Sequence, residues 1–365
     1  MVSASEVISA IEAFAPLALQ EAYDNSGLLT GSRGDEVSGV LLCVDITSEV
    51  MDEARSMACN MIISHHPLLF KPLKRISGET LPERLLVRAI KENMIIYAAH
   101  TNLDMIPEGV SGRMADKLGL TETAVLVPSS QGLLKLVVFV PESHAGPVGE
   151  ALFGAGAGRI GKYDSCSFQS QGTGTFRGDA DAKPFAGKPG TLNREPEVRI
   201  ETILPAYLKD RVISAMIEVH PYEEVAYDLY PLENRFTMAG TGLCGHLPEP
   251  IDEGGFLSLV KSAFKIPMLK HSPLTGKRIH KIALCGGSGG SLLQAAIRCG
   301  ADAFVTADLK YHSFFETEGK LLLVDAGHFE TEQFVPEILY EVLSEKLPKF
   351  AVHLSAINSN PVNYY

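Results

Sequence analysis

Short uninterrupted apolar runs, separated by helix-like stretches, mark the early part of the chain. Val40–Val44, Met61–Ile63 and Met94–Ala98 read as strands, and Glu49–Ala58 and Leu81–Lys91 read as helices. The same alternation returns late. Ile282–Cys285, Ala303–Thr306 and Leu321–Val324 read as strands, with a helical stretch at Ser291–Arg298. Continuous Val, Ile and Leu runs that alternate with helices indicate parallel strands covered on both faces. The pattern predicts an α/β protein with two similar α/β units built on mostly parallel sheets.

The stretch from about 127 to 234 breaks this rhythm. Leu134–Val140 reads as a strand, and Gly146–Gly158 as a short helix running into a Gly-rich turn. Gln169–Gly190 reads as a hairpin or loop, Glu197–Leu204 as a strand, Tyr207–Val219 as a helix and Val225–Tyr230 as a strand. The order β-α-β-β-α-β predicts an inserted ferredoxin-like α+β domain. The predicted organisation is therefore 1–126, an insert at 127–234, and 235–365.

Composition narrows the function classes. The 365 residues are 45% hydrophobic and 21% charged, which excludes wholesale disorder. The net charge of −12 disfavours nucleic acid as a partner, because phosphate affinity is carried by Lys and Arg. No apolar run approaches the roughly 18 residues of a membrane span. The opening MVSASEVISAIEAF, interrupted by Glu6 and Glu12, reads as an amphipathic helix rather than a signal peptide. The six cysteines form no CxxC pair, and Cys43 and Cys285 sit in apolar runs. Reduced thiols and a cytoplasmic location are expected.

The candidate chemistry lies at the ends of predicted strands, where α/β sheets bind ligands. Ser64-His65-His66-Pro67 follows Met61–Ile63. Adjacent residues of an extended segment point to opposite sides, so two imidazoles there more easily serve two neighbouring metals than chelate one. Ala99-His100-Thr101-Asn102-Leu103-Asp104 follows Met94–Ala98 and supplies a His and a carboxylate. In Gly327-His328-Phe329-Glu330-Thr331-Glu332, His328 and Glu332 share one helical face at i and i+4. Three such clusters predict one shared metal site.

Other motifs are weaker. Cys285-Gly286-Gly287-Ser288-Gly289-Gly290-Ser291 reads either as a phosphate cradle or as a tight strand-to-helix turn. Asp308 and His312 follow another strand and read as partners of the ligands or as proton donors. His220-Pro221-Tyr222-Glu223-Glu224 reads as a structural turn.

Together these motifs resemble the Nif-three-like or dinuclear-metal-centre family, often named GTP cyclohydrolase I type 2 homologues. The stretches that carry the resemblance are Asp24-Asn25-Ser26-Gly27-Leu28-Leu29, Ile62-Ile63-Ser64-His65-His66-Pro67-Leu68 and His100-Thr101-Asn102-Leu103-Asp104. Cys285-Gly286-Gly287-Ser288-Gly289, Asp308-Leu309-Lys310-Tyr311-His312 and Gly327 to Glu332 complete them, in family order. The insert, with Gly161-Lys162-Tyr163, Gly172–Arg177 and His220 to Glu224, is similar to PII and CutA domains. The loop Glu108-Gly109-Val110-Ser111-Gly112 departs from the family by lacking an Asn-Asp pair.

The resemblance implies two divalent metal ions held by His65, His66, Asp104, His328 and Glu332, with Glu332 as the bridge. It also implies a homo-oligomer, a hexameric ring. Zn, Fe, Mn and Co all suit such ligands. The implied function is a metal-dependent hydrolase of a nucleotide-like small molecule. With GTP, a metal-activated water would open the guanine imidazole ring at C8, and His312 or Glu330 would move protons. The alternative is a non-enzymatic metal-binding or regulatory protein whose insert senses a small-molecule effector.

Overall fold

The computed structural model describes residues 2–129 and 132–365. The chain forms two compact units, Met1–Pro128 with Thr237–Tyr365, and Ser129–Phe236.

In the first unit, Val40–Cys43, Met61–Ser64 and Ile95–Ala98 are buried at every residue and pair in parallel. Val352–Leu354 adds a fourth parallel strand and Gly27–Thr30 an antiparallel edge. Helix Leu81–Lys91 begins where Thr80 accepts the amide of Glu83, and Ser48–Ser56 where Thr47 accepts that of Val50. The second helix ends before Ala58, whose φ of 56° is left-handed and cannot continue a helix. Both helices lay apolar faces on the sheet, with Val50, Met51, Leu85 and Ala89 against Leu41, Ile62 and Ile96.

The second sheet of this unit is mixed, unlike the mostly parallel sheet the pattern predicts. Ile279–Leu284, Ala303–Thr306 and Leu322–Asp325 are parallel, but Phe236–Ile251 and Lys270–His271 flank them antiparallel. Thr121–Ser129 forms the far edge. Phe236–Ile251 carries Gly240, Gly242, Gly245, Pro248 and Pro250, residues that weaken any strand pattern. The two α/β halves also share one compact unit rather than forming two.

The Ser129–Phe236 unit has the element order β-α-β-β-α-β: Leu133–Pro141, Ala145–Gly154, Ser167–Phe176, Asn193–Pro205, Lys209–Val219 and Tyr227–Leu232. In space the strands run fourth, first, third, second, and every neighbouring pair is antiparallel. This is ferredoxin-like topology. Both helices contribute to the core over the sheet, through Val148, Leu152, Val212 and Met216 packed with Leu136, Val138, Val198 and Ile200. No helix among the described residues is long and apolar enough to cross a membrane.

Candidate metal centre

Strand ends of the two sheets in the first unit supply one polar cluster. Ser64 pairs with Ala98 at matching register, so His65 and His66 leave their strand beside the turn that carries His100 and Asp104. From the other sheet, the strand Leu322–Asp325 leads through Gly327 into the short helix His328–Glu332. That helix places His328 and Glu332 one turn apart, with Nε2 and Oε2 separated by 3.2 Å.

Glu332 is buried and lies at the centre. Its Oε1 stands 3.6 Å from His65 Nε2. Its Oε2 stands 3.0 Å from His66 Nε2 and 3.2 Å from His328 Nε2. On the first side, Asp104 Oδ1 lies 3.8 Å from His65 Nε2. The adjacent histidines thus address different oxygens of one carboxylate. Two groups of potential ligand atoms lie within 4.8 Å of one another: His65, His66 and His100, then His66, His328 and Glu332.

Each imidazole is oriented from behind. His65 Nδ1–H donates to the carbonyl of Ala99 at 2.8 Å, and His66 Nδ1–H to Asp45 at 2.7 Å. His100 Nδ1–H donates to Asp24 and His328 Nδ1–H to Asp308, each at 2.7 Å. Carbonyl and carboxylate oxygens only accept, so the proton sits on Nδ1. In the neutral ring this leaves Nε2 a bare lone pair. This carboxylate-or-carbonyl backing is how metal-binding histidines are held.

The electrostatics favour positive charge at this point. Burial opposes protonation of His66, but Asp45 and Glu332 outweigh it and push the imidazole up to about 10. Glu332, aided by Asp308, pushes His328 up to about 9. Burial would raise Glu332, yet His65, His328 and His66 together hold it well below the usual carboxylate range. Burial beside Glu332 raises the Asp104 carboxyl against the pull of His65. A field that stabilises imidazolium protons stabilises a metal cation in the same place.

The donor set also passes a stricter test of fit. His65 Nε2, Asp104 Oδ1 and Glu332 Oε2 are buried without a hydrogen bond; they are three of only five such side-chain atoms among the described residues. Buried polar atoms are normally satisfied. Imidazole nitrogens and carboxylate oxygens are the donors that divalent transition metals prefer.

The Gly-rich turn serves this cluster structurally. Gly287 has φ 56°, and a Cβ there would fall 2.2 Å from Glu332 Oε1. Its amide donates to Thr331 Oγ1, and that of Gly289 to Thr306 Oγ1, both at 2.9 Å. These two amides are therefore committed inside the fold.

The two expected proton carriers are placed differently. Glu330 is buried and accepts from Asn360 Nδ2 at 3.0 Å and the Tyr364 hydroxyl at 2.9 Å. With His66, His328 and Lys270 it lines a cavity of about 390 Å³. His312 is exposed in the turn Tyr311–Phe314, and its ring contacts are Tyr311 and Phe315. Asp24 and Asp45 are the orienting residues that sequence reasoning missed. Asp45 lies just past the strand Val40–Cys43, the position already occupied by the other site residues, and that signal could have found it.

Known proteins share this architecture. Residues 2–361 match the family described as Duf34/NIF3 (NGG1p interacting factor 3). A protein of Halalkalibacterium halodurans named GTP cyclohydrolase 1 type 2 homolog is 41% identical over 364 residues, covering 98% of each chain. One of the same name from Bacillus subtilis is 36% identical and covers 100% of this chain and 99% of its own. A Bacillus cereus crystal structure described as a protein related to NIF3 superposes with a TM-score of 0.88 at 39% identity, covering 100% of this chain and 99% of that one. A match over nearly the whole chain, with relatives above 30% identity, places this protein in the Duf34/NIF3 family.

Proposed function

We propose that the cluster holds two divalent metal ions and that the protein is a metal-dependent hydrolase of a nucleotide-like small molecule. The observation that carries this reading is the division of Glu332: Oε1 faces His65 and Oε2 faces His66 and His328. His65 and Asp104 would hold one ion, His66 and His328 the other, with Glu332 bridging. Bound there, paired divalent ions supply Lewis acidity and acidify water for hydrolysis. The chain's own residues do the positioning. Asp45, Asp308 and the carbonyl of Ala99 aim three imidazoles inward.

The adjacent cavity of about 390 Å³ falls in the size range of small-molecule sites, roughly 300–1,000 Å³. Its lining carries Asp45, Asp308, Asp325 and Glu330, while its Lys270 is paired with Asp325 at 2.8 Å. That acidic wall suits a base or sugar better than a polyphosphate. In this proposal Glu330, which lines the cavity, or His312 would exchange a proton with the bound molecule. The nucleotide class is supported by the name of the relatives. The hexameric ring and the cytoplasmic location belong to the same proposal.

The test is full-length protein loaded with Zn, Fe, Mn or Co, its metal content measured, and assayed on a panel of nucleotides. Turnover that requires metal and vanishes in Glu332→Gln supports the reading. Two bound ions with no turnover of any nucleotide would leave a metal-binding protein without this activity.

A further inference from the structure

The Ser129–Phe236 unit carries a cavity of its own, about 710 Å³, on the sheet face opposite its helices. Its walls include Phe139, Phe176, Phe185, Tyr222, Glu197 and Arg199. Glu197 is the unusual member. It projects from the strand Asn193–Pro205 and is only 9% exposed. Its hydrogen bond comes from the Tyr222 hydroxyl, at 2.7 Å to Oε1. No ion pair among the described residues includes it, and the neighbouring Arg199 is paired instead with Glu201 at 2.9 Å.

The surroundings are built to present this carboxylate. A Cβ at Gly174 would fall 2.0 Å from Glu197 Oε2, so the glycine on the paired strand gives the carboxylate its room. Tyr222 is fixed by the turn His220 to Glu224. Its amide donates to His220 Nδ1 at 3.1 Å, and His220 Nε2–H donates to the carbonyl of Phe139 at 3.1 Å. The 177–192 segment closes one side, with the amide of Lys183 donating to Glu223 at 2.9 Å. The Phe176 and Phe185 rings stand 6.5 and 6.2 Å from the Tyr222 ring.

We propose that this cavity binds a small organic cation, an amidinium, guanidinium or protonated amine carried on an apolar body. Arg177 and Arg199 also line the cavity, but neither is ion-paired with Glu197. A carboxylate taken largely out of water with no ion-pair partner is unfavourable, and a cationic donor relieves it through charge-assisted hydrogen bonds. The negative faces of Phe and Tyr rings favour the same charge. The site lies within the inserted unit and uses none of the metal-centre residues, so it stands independently of the hydrolase reading.

The test uses full-length protein and isothermal titration with benzamidine, its neutral analogue benzamide and its anionic analogue benzoate. Benzamidine is expected to bind at least 10-fold more tightly than benzamide, with no measurable binding of benzoate. Glu197→Gln keeps the shape but removes the charge, and should weaken benzamidine at least 10-fold with an unchanged circular dichroism spectrum and metal content. Phe185→Ala, at a ring 51% exposed, provides a second variant that leaves the strands intact and should weaken binding several-fold. Tyr222→Phe frees Oε1 and should leave benzamidine affinity equal or higher. Absence of benzamidine binding, equal binding of benzamide, or undiminished binding in a folded Glu197→Gln would overturn the proposal.

Discussion

His66 Nε2 and His328 Nε2 face each other across 3.2 Å, although 262 positions separate them in the chain. Both rings are turned by a carboxylate on Nδ1, Asp45 for one and Asp308 for the other. Two nitrogens bonded to one tetrahedral ion at about 2.0–2.1 Å stand about 3.3–3.4 Å apart. The observed separation is close to that edge. The arrangement also repeats the chemical logic of Glu332, whose Oε2 faces the same two nitrogens.

Glu332→Gln should disrupt both halves of the centre, because its two oxygens face different histidines. His65→Ala should disturb the half shared with Asp104 more than the half formed by His66 and His328. Elemental analysis of metal-reconstituted protein is expected to show the larger deficit in Glu332→Gln. Affinity there should fall by more than the roughly 10–100-fold typical of a residue that only orients a ligand. Wild-type stoichiometry in both variants would refute the ligand assignment.

Asp308→Asn separates orientation from folding. Asp308 sits at φ 55°, a conformation that Asn tolerates nearly as well as Asp. The substitution removes the charge behind His328 Nδ1 and keeps a hydrogen-bonding group. Metal affinity should fall by about 10–100-fold, while the urea midpoint stays near wild type.

Gly287→Ala probes the turn that packs against Glu332. Its φ of 56° strains any residue with a Cβ, and that Cβ would overlap Glu332 Oε1. Strain of this kind amounts to about 1–3 kcal/mol. The variant should lose both stability and bound metal, whereas Gly300→Ala, with φ 74° and nothing within 4 Å of its Cβ, should lose only stability.

The parallel strands were legible because they are buried on both faces, so Val40–Cys43 and Ala303–Thr306 read as unbroken apolar runs. The candidate ligands were legible for a related reason: a polar cluster directly after such a run has few structural uses. Phe236–Ile251 was hidden by its glycines and prolines, and Val352–Leu354 by its brevity. Asp24 and Asp45 were missed because an orienting carboxylate is defined by the ring it meets. Those rings lie 76 and 21 residues away in sequence, so no local spacing encodes the contact, although the place of Asp45 just past a strand marked it as a candidate.

His312→Ala should leave metal content unchanged. The ring is exposed and rests on Tyr311 and Phe315 rather than on any member of the cluster. Its removal should alter stability by no more than about 0.5 kcal/mol. If a substrate is found, a fall in kcat of about 10²–10⁴ with full metal loading assigns it proton transfer. Full activity assigns that step elsewhere, with Glu330 the next residue to vary.

The Ser129–Phe236 unit should fold alone. Its four strands and two helices close a core in which Leu136, Val138, Ile200, Leu204, Val212 and Met216 are each fully buried. The unit meets the minimum that independent stability requires, three or more strands with an apolar face packed against helices. The isolated fragment should show a mixed α/β circular dichroism spectrum and one cooperative urea transition. Ile200→Ala, which empties the centre of that core, should lower its stability by about 2–5 kcal/mol. The reciprocal chain, with Pro128 joined to Thr237 by a short linker, should keep its metal, because every proposed ligand lies in the other unit. A fragment that melts without cooperativity, beside a deletion chain that binds metal normally, would show that the insert borrows its stability from the remainder. Loss of metal from a folded deletion chain would show instead that the centre depends on residues beyond its own unit.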